Sequence, residues 1–337
     1  MDRYTFDEND NRLSKTSQNE NNTINTNYQY DIANKLISEK DSTGNNFDYL
    51  YDDNGNLLSK SSINESGTSE LIESYSYDSF NRFSSVQKKN ESYSYLYDGS
   101  DRRIQKNTPE TQLREFWNNG RIAFEDRTTK NGSEQVETYH SYIFDDDLIA
   151  VSSENSLTNI ASTNAHGDTV KLISAETPTN AQYQYDAFGI QKLNTVSNIY
   201  NPYQYNGKYI DNETGFYYLN IRYYNPEIGR FMQEDTYHGN VQNASTLNLY
   251  NYCGSNPITY EDGTSHFWET AFDVASIAVS AYDFVKKPNL WNGICLAWDV
   301  ATSKTGRVIR SIDKVHDTTK RIKILKEHIK LLSQLQK

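Results

Sequence analysis

The segment YSYDSFNRF (Tyr75–Phe83) returns a little further on as YLYDGSDRRI (Tyr95–Ile104). Each copy puts two aromatic residues at i and i+2 directly before an aspartate. On an extended strand that spacing sends both rings to one face. The aspartate carboxylate can bond backbone N–H groups and open a turn. Asn, Gly or Asp a few residues later tolerates the positive φ of a tight reversal. The chain then resumes on a return strand, so the unit predicts a β-hairpin.

Working outward, the unit recurs as YTFDENDNRL from Tyr4, as YQYDIANKL from Tyr28, and as YLYD, ending at Asp52, before DNGNLL. Asp7, Asp31, Asp52, Asp78 and Asp98 lie 24, 21, 26 and 20 residues apart, the interval of a repeat architecture. Weaker copies are YIFDDDLIA from Tyr142 and YQYDAFGIQKL from Tyr183, which carries Asp186. One hairpin cannot hold itself together in water. Hairpins in series therefore predict a mainly β fold: consecutive antiparallel hairpins in a long curved sheet with a tyrosine-tiled face.

The 337 residues suffice for a sizeable core, but only 36% are hydrophobic. With 27 Tyr and 13% aromatics, rings with polar tips replace aliphatic core, and the aromatic content argues against disorder. The formal charge of −12 is uneven. Residues 1–265 hold 21 basic against 38 acidic side chains, and residues 266–337 hold 12 against 7. The acidic part argues against nucleic-acid binding there. No CxxC is present, the six His are scattered, and the start MDRYTFDENDNRL carries no signal peptide. No metal or cofactor is expected. The two cysteines, Cys253 and Cys295, read as small buried residues. The chain opens inside a repeat and so reads as the C-terminal portion of something longer, or as an orphan remnant of it.

A second tyrosine-dense stretch runs from Asn201 to Asp235, NPYQYNGKYIDNETGFYYLNIRYYNPEIGRFMQED, with seven tyrosines and two Asn-Pro steps. Downstream follows LNLYNYCGSNPITYED, and upstream lie AHGDTVKLI (165–173) and YQYDAFG (183–189). The Tyr-x-Tyr-Asp hairpins resemble the tyrosine-aspartate (YD) repeats of Rhs proteins. The stretch from 201 resembles the Rhs repeat-associated core. Landmarks of that core are Tyr205, Gly207, Gly215, Tyr217, Tyr218, Arg222, Tyr223, Tyr224, Pro226, Gly229, Arg230, Phe231, Asn256 and Pro257.

The resemblance, which covers roughly residues 1–265, implies a spiralling YD sheet at 1–200 and a core block at 201–265 that plugs it. Residues 266–337 are then a linker or truncated toxin. Related shells occur in insecticidal Tc toxins and in teneurins. It implies a non-enzymatic delivery module in bacterial competition, secreted or at the cell surface as part of a larger protein. Its partners would be the upstream shell, its own tail or a passenger toxin, with an immunity protein and glycans further candidates.

The resemblance also implies a cutting site: in many Rhs shells the end of the core cuts itself, through aspartates each followed by proline. The matching acids are Asp235 and Asp262, but Thr236 and Gly263 replace the prolines and Ser265 replaces a glycine. Two carboxylates can share acid and base roles, yet without those turns weak or no cleavage is expected. Read as residues alone, Asp235 and Asp262 cap turns. Arg222 and Arg230 anchor buried carboxylates or carbonyls, His166 is a turn residue, and Asp145, Asp146 and Asp147 form a solvated turn without the spacing of a calcium loop.

After Asp262 the pattern changes. HFWETAFDVASIAVSAYDFVKK predicts a largely buried helix ended by Pro288, and LWNGICLAWDVATSK a second short one. From Lys304 to Lys337, ten Lys/Arg face three acids, and Ile322, Leu325, Ile329, Leu332 and Leu335 form an apolar stripe. That amphipathic helix suits helix pairing, an anionic membrane surface or nucleic acid. The expectation is docking onto the acidic β part. Two other classes compete. One is a carbohydrate-binding surface repeat protein, disfavoured because three of the four Trp lie in the tail. The other is an effector whose tail is a membrane-active or nuclease toxin.

Overall fold

The structure, a computed structural model, describes residues 2–260 except 19–21, 132–133, 146, 154–155, 175–179, 196–198 and 240–243. Asp146, Asp262, Cys295 and the tail helices therefore lie outside the described residues.

Among the described residues eighteen strands form one sheet, each pairing antiparallel with its neighbours in sequence. They make nine hairpins. The first five are Asp2–Phe6 with Arg12–Gln18, Thr23–Tyr30 with Leu36–Asp41, Asn46–Tyr51 with Leu57–Ile63, Ser69–Tyr77 with Phe83–Lys88, and Glu91–Tyr97 with Arg103–Asn107. The last four are Thr111–Asn118 with Arg121–Asn131, Glu134–Phe144 with Leu148–Ser153, Ser156–Thr163 with Thr169–Ser174, and Asn180–Tyr185 with Gln191–Asn194.

The repeat aspartate builds the turn as its chemistry requires. Asp78 Oδ1 accepts from the backbone N–H of Phe80 at 2.9 Å and of Arg82 at 3.0 Å. Asn81 between them sits at φ 59°. Asp7, Asp31, Asp52, Asp98 and Asp186 accept from the same two positions, and Asn164 replaces aspartate in the eighth hairpin.

Both tyrosines of the unit face inward. The first is buried at Tyr28, Tyr49, Tyr75, Tyr95 and Tyr183. The second reaches back to the hairpin before it. Tyr30 donates to the Arg12 carbonyl at 2.9 Å, Tyr77 to Leu57 at 3.0 Å, Tyr97 to Phe83 at 2.7 Å and Tyr185 to Thr169 at 3.1 Å. In the sixth hairpin Trp117 Nε1 does the same to Arg103 at 2.6 Å. Each such bond contributes about 1 kcal/mol and ties consecutive hairpins together beyond their ladders.

Every hairpin also carries a one-residue slip at one register. In the fourth, Ser76 pairs with Ser85 and Tyr77 with Phe83, so Ser84 is extra. Leu13, Ile37, Leu58, Ile104, Ala123, Ile149, Val170 and Lys192 are its counterparts. Such bulges bend and twist a sheet. The first and ninth hairpins consequently meet: Lys192 Nζ lies 3.0 Å from Asp2, Lys15 Nζ lies 3.7 Å from Asp186, and the Tyr4 and Phe188 rings stand edge-on at 4.9 Å.

Inside this curve lies a second, four-stranded sheet, Tyr209–Asp211, Phe216–Tyr218, Tyr223–Asn225 and Arg230–Phe231, in the block 201–260. Its rings fill the core against the tiled face. Tyr223 packs on Phe83 at 4.6 Å and on Tyr95 at 5.5 Å, and Phe216 packs on Tyr75 at 6.1 Å.

Candidate functional site

The candidate site is the contact between the inner block and the hairpins, because there the tyrosine-rich landmarks of the sequence converge. Three of them hold one turn. Tyr205, Tyr224 and Tyr217 donate their hydroxyls to the consecutive carbonyls of Ala187, Phe188 and Gly189, at 2.6, 2.8 and 3.0 Å. Tyr250 does likewise to Gly55 at 2.8 Å. Burial pushes the phenols of Tyr217 and Tyr224 well up, so they stay protonated donors. Backbone joins in: the Leu57 N–H donates to the Met232 carbonyl at 2.9 Å.

Arg230 spans the rim of turns. Its guanidinium donates to Asn11 Oδ1 at 2.9 Å, to the Asn34 carbonyl, and to Asn248 Oδ1 at 3.2 Å. The Tyr30 ring lies beneath it at 4.8 Å. Gly229, at φ 70°, leaves room for Arg12, which sits over the Phe188 ring at 4.1 Å and donates to the Glu227 carbonyl at 3.3 Å.

Deeper in, four buried charged side chains, with the half-buried Glu213 at their edge, form a hub. Arg103 is fully buried and donates to both oxygens of Glu115, at 2.7–3.0 Å, and to Asp211 Oδ2 at 2.7 Å. Lys106 Nζ lies 2.9 Å from both Asp211 Oδ1 and Glu213. Burial pushes the Glu115 carboxyl up while the Arg103 fork opposes it. At Asp211 burial also acts upward, but Arg103 and Lys106 outweigh it and hold the carboxyl below its ordinary range. Alongside, Glu125 accepts from Tyr142 at 2.9 Å and from Tyr209. With its ions paired and hydrogen-bonded, the hub fixes how the inner block seats.

Asp235, one of the two acids matched to self-cleavage, is tied down. Arg222 NH2 lies 2.7 Å from its Oδ2, Arg222 NH1 donates to the Leu249 carbonyl at 3.1 Å, and Asp235 Oδ1 accepts from the Tyr237 N–H at 2.9 Å. Asp262, the other, lies outside the described residues. Gly207 and Gly215 occupy positive φ, Pro226 and Pro257 are buried, the Tyr218 hydroxyl oxygen accepts from the Arg103 N–H at 3.1 Å, and the Asn256 carbonyl accepts from the N–H groups of Thr259 and Tyr260. His166 sits in the Asn164–Asp168 turn with Nδ1 2.9 Å from Asp168. Among the described residues no group of three His, Cys, Asp or Glu could hold a metal.

Arg103, Lys106, Glu115, Glu125 and Asp211 are not among the landmarks drawn from the sequence. A signal was available: Arg103 and Arg12 stand at the first return-strand position, where Leu36, Leu57 and Phe83 are buried. A charge in that register announces a buried partner.

The family model described as Teneurin YD-shell matches residues 1–258. The chain is similar to the tRNA3(Ser)-specific nuclease WapA of Bacillus spizizenii, with 28% identity over 319 residues, 93% of this chain and 13% of that protein. It is also similar to the tRNA nuclease WapA of Bacillus subtilis (strain 168), with 26% identity over 328 residues, 94% of this chain and 13% of that protein. The chain thus spans about an eighth of the length of these relatives. Among solved structures, TcdB2-TccC3-TEV is similar with a TM-score of 0.49 and 16% identity, over 78% of this chain and 18% of that one. Repeat, inward tyrosines and the four-stranded inner sheet all lie within the matched residues, and this chain belongs to the teneurin YD-shell family.

Proposed function

We propose that the chain is the plug-bearing portion of a YD shell that encapsulates or presents a C-terminal passenger, acting in delivery rather than catalysis. Residues 1–200 form the shell sheet in this reading, 201–265 the plug, and 266–337 the passenger or its linker. One observation carries it: the inner block is fastened to the hairpins by tyrosine hydroxyls, Arg230 and the buried hub, as a closure must be. The nuclease relatives support a toxin passenger, because their alignments exceed 300 residues and so run on past the core. The basic segment 304–337 suits the acidic sheet by charge. Delivery against other bacteria would place the whole protein outside the cell and give the passenger an immunity partner.

Limited trypsin digestion of the full chain tests this. The tail offers 12 Lys/Arg, and docking protects them at low salt and releases them at high salt. Immediate trimming at both salts leaves the passenger unheld and overturns the reading.

A further inference from the structure

Within the hub, Lys106 is 3% exposed and Asp211 not at all, and Lys106 Nζ lies 2.9 Å from Asp211 Oδ1. Outside the hub, no other lysine–carboxylate pair among the described residues is so enclosed. Lys15 with Asp186, at 3.7 Å, leaves its lysine 12% exposed, and Lys60 with Glu39, at 3.5 Å, leaves both side chains 13% exposed. Lys106 stands opposite Tyr95, and the matching places in the fourth and seventh hairpins are filled by Val86 and Val151. Arginine suits a buried ion pair better. Lysine brings instead an amine that can act as a nucleophile.

Other groups are placed around the pair. Glu213 also lies 2.9 Å from Lys106 Nζ. Arg103 NH1 donates to Asp211 Oδ2 at 2.7 Å, while Lys106 meets Oδ1. The Asp211 carbonyl accepts from the Thr214 and Gly215 N–H groups at 3.1 and 2.7 Å, which fixes the acid at the head of its turn. The Tyr209 ring stands 5.4 Å from the lysine nitrogen.

We propose that Lys106 and Asp211 condense into an intramolecular isopeptide bond, with Glu213 as the proton carrier. One ammonium proton passes to Oδ1, leaving a neutral amine beside a carboxylic acid. The nitrogen lone pair attacks Cγ. The electron pair of the Cγ–Oδ2 double bond moves onto Oδ2, where Arg103 meets the developing charge. Glu213 takes a proton from the nitrogen and returns it to Oδ1. The double bond re-forms, the Cγ–Oδ1 bond breaks and water leaves. Glu213 ends as it began, and no oxidant or cofactor is consumed.

Burial opposes the charge on both partners, and their attraction outweighs it, so the reaction runs through a scarce neutral pair. Two effects favour it nonetheless. Groups held in contact react as if at very high concentration, and the amide removes two charges that are costly to bury. The product joins the fifth hairpin to the inner block across 105 residues. The inference does not depend on the shell reading.

Mass spectrometry of the full chain tests it. The folded protein is expected one water lighter than its sequence. Trypsin should release residues 104–114 joined to 209–222 through Lys106 and Asp211. Chain purified and kept in urea should lack that branched peptide and gain it on refolding. Lys106→Arg, which keeps the charge but not the amine, should restore the full mass. Glu213→Gln should form the link about a hundredfold more slowly after refolding. Folded parent protein with its full mass and only unlinked peptides overturns the proposal and leaves a plain ion pair. Water loss that persists in Lys106→Arg, or a branched peptide that forms as fast in urea, overturns it too. A Glu213→Gln rate equal to the parent's overturns the role given to Glu213.

Discussion

The Tyr203 hydroxyl donates to the Ile122 carbonyl at 2.6 Å. At Arg12, Leu57, Phe83, Arg103 and Thr169 the equivalent carbonyl is taken by the second aromatic residue of a neighbouring repeat, but beside Ile122 that residue is Phe144, which has no hydroxyl. The inner block supplies the missing donor, and the two rings stand edge-on at 4.9 Å. Tyr203→Phe should therefore lower stability by about 1–3 kcal/mol, the cost of a buried carbonyl left alone. Adding Phe144→Tyr should recover part of that loss. Urea denaturation of the single and double variants measures both, and a recovery of nothing would show that the two positions are not interchangeable.

Arg103→Ala should be among the most damaging single changes. It strips Glu115 of its partner and halves the pairing of Asp211 inside the core. Removing one partner from such a hub costs about 3–5 kcal/mol. Thermal unfolding should show the loss at every salt concentration tested, whereas an exposed pair would be screened.

Gly189 occupies φ 91°, and a Cβ there would stand 2.7 Å from the Tyr205 ring. Gly189→Ala combines a left-handed backbone with a collision against a fixed ring, together about 2–4 kcal/mol. Pairing it with Tyr205→Ala should remove the steric share and leave the backbone share, which a double-mutant cycle resolves.

His140 gives the stability curve a definite slope. Burial, helped by the nearby Arg127 cation, lowers it from 6.5 to about 4. Its ring lies 4.6 Å from Tyr200, and Nδ1 is 2.8 Å from Ser153 Oγ. Between those two values the unfolded chain binds the proton and the folded chain does not. The stability contributed by neutral His140 is complete above pH 6.5 and declines as the pH falls toward 4. His140→Gln should flatten unfolding free energy against pH within that window. An unchanged slope would assign the acid response to other groups.

The full chain should remain intact over a day at neutral pH. Asp235 is held by Arg222 and the Tyr237 N–H, and the prolines expected after both matched acids are absent. Intact mass spectrometry checks it. Two fragments that vanish in Asp235→Asn would establish a working self-cleavage site.

The hairpins were legible because their information is local. Asp78 and Asn81 carry the turn within four residues, and the Tyr75–Tyr77 spacing sets the face. The seat of the inner block was not, because it rests on contacts such as Lys106 with Asp211, which are 105 residues apart and leave no periodic trace. Tyrosines between 201 and 252 marked the block, but which carbonyl each hydroxyl meets depends on how far the sheet bends.

The extra residue at Ser84 and at its counterparts in the other eight hairpins makes curvature a property of the single unit rather than of the assembled sheet. Gaining or losing a hairpin would then change the circumference in a discrete step while leaving every remaining unit at its own angle. Length can evolve by duplication without redesign of any joint, and only the inner block seated within the curve would have to be refitted.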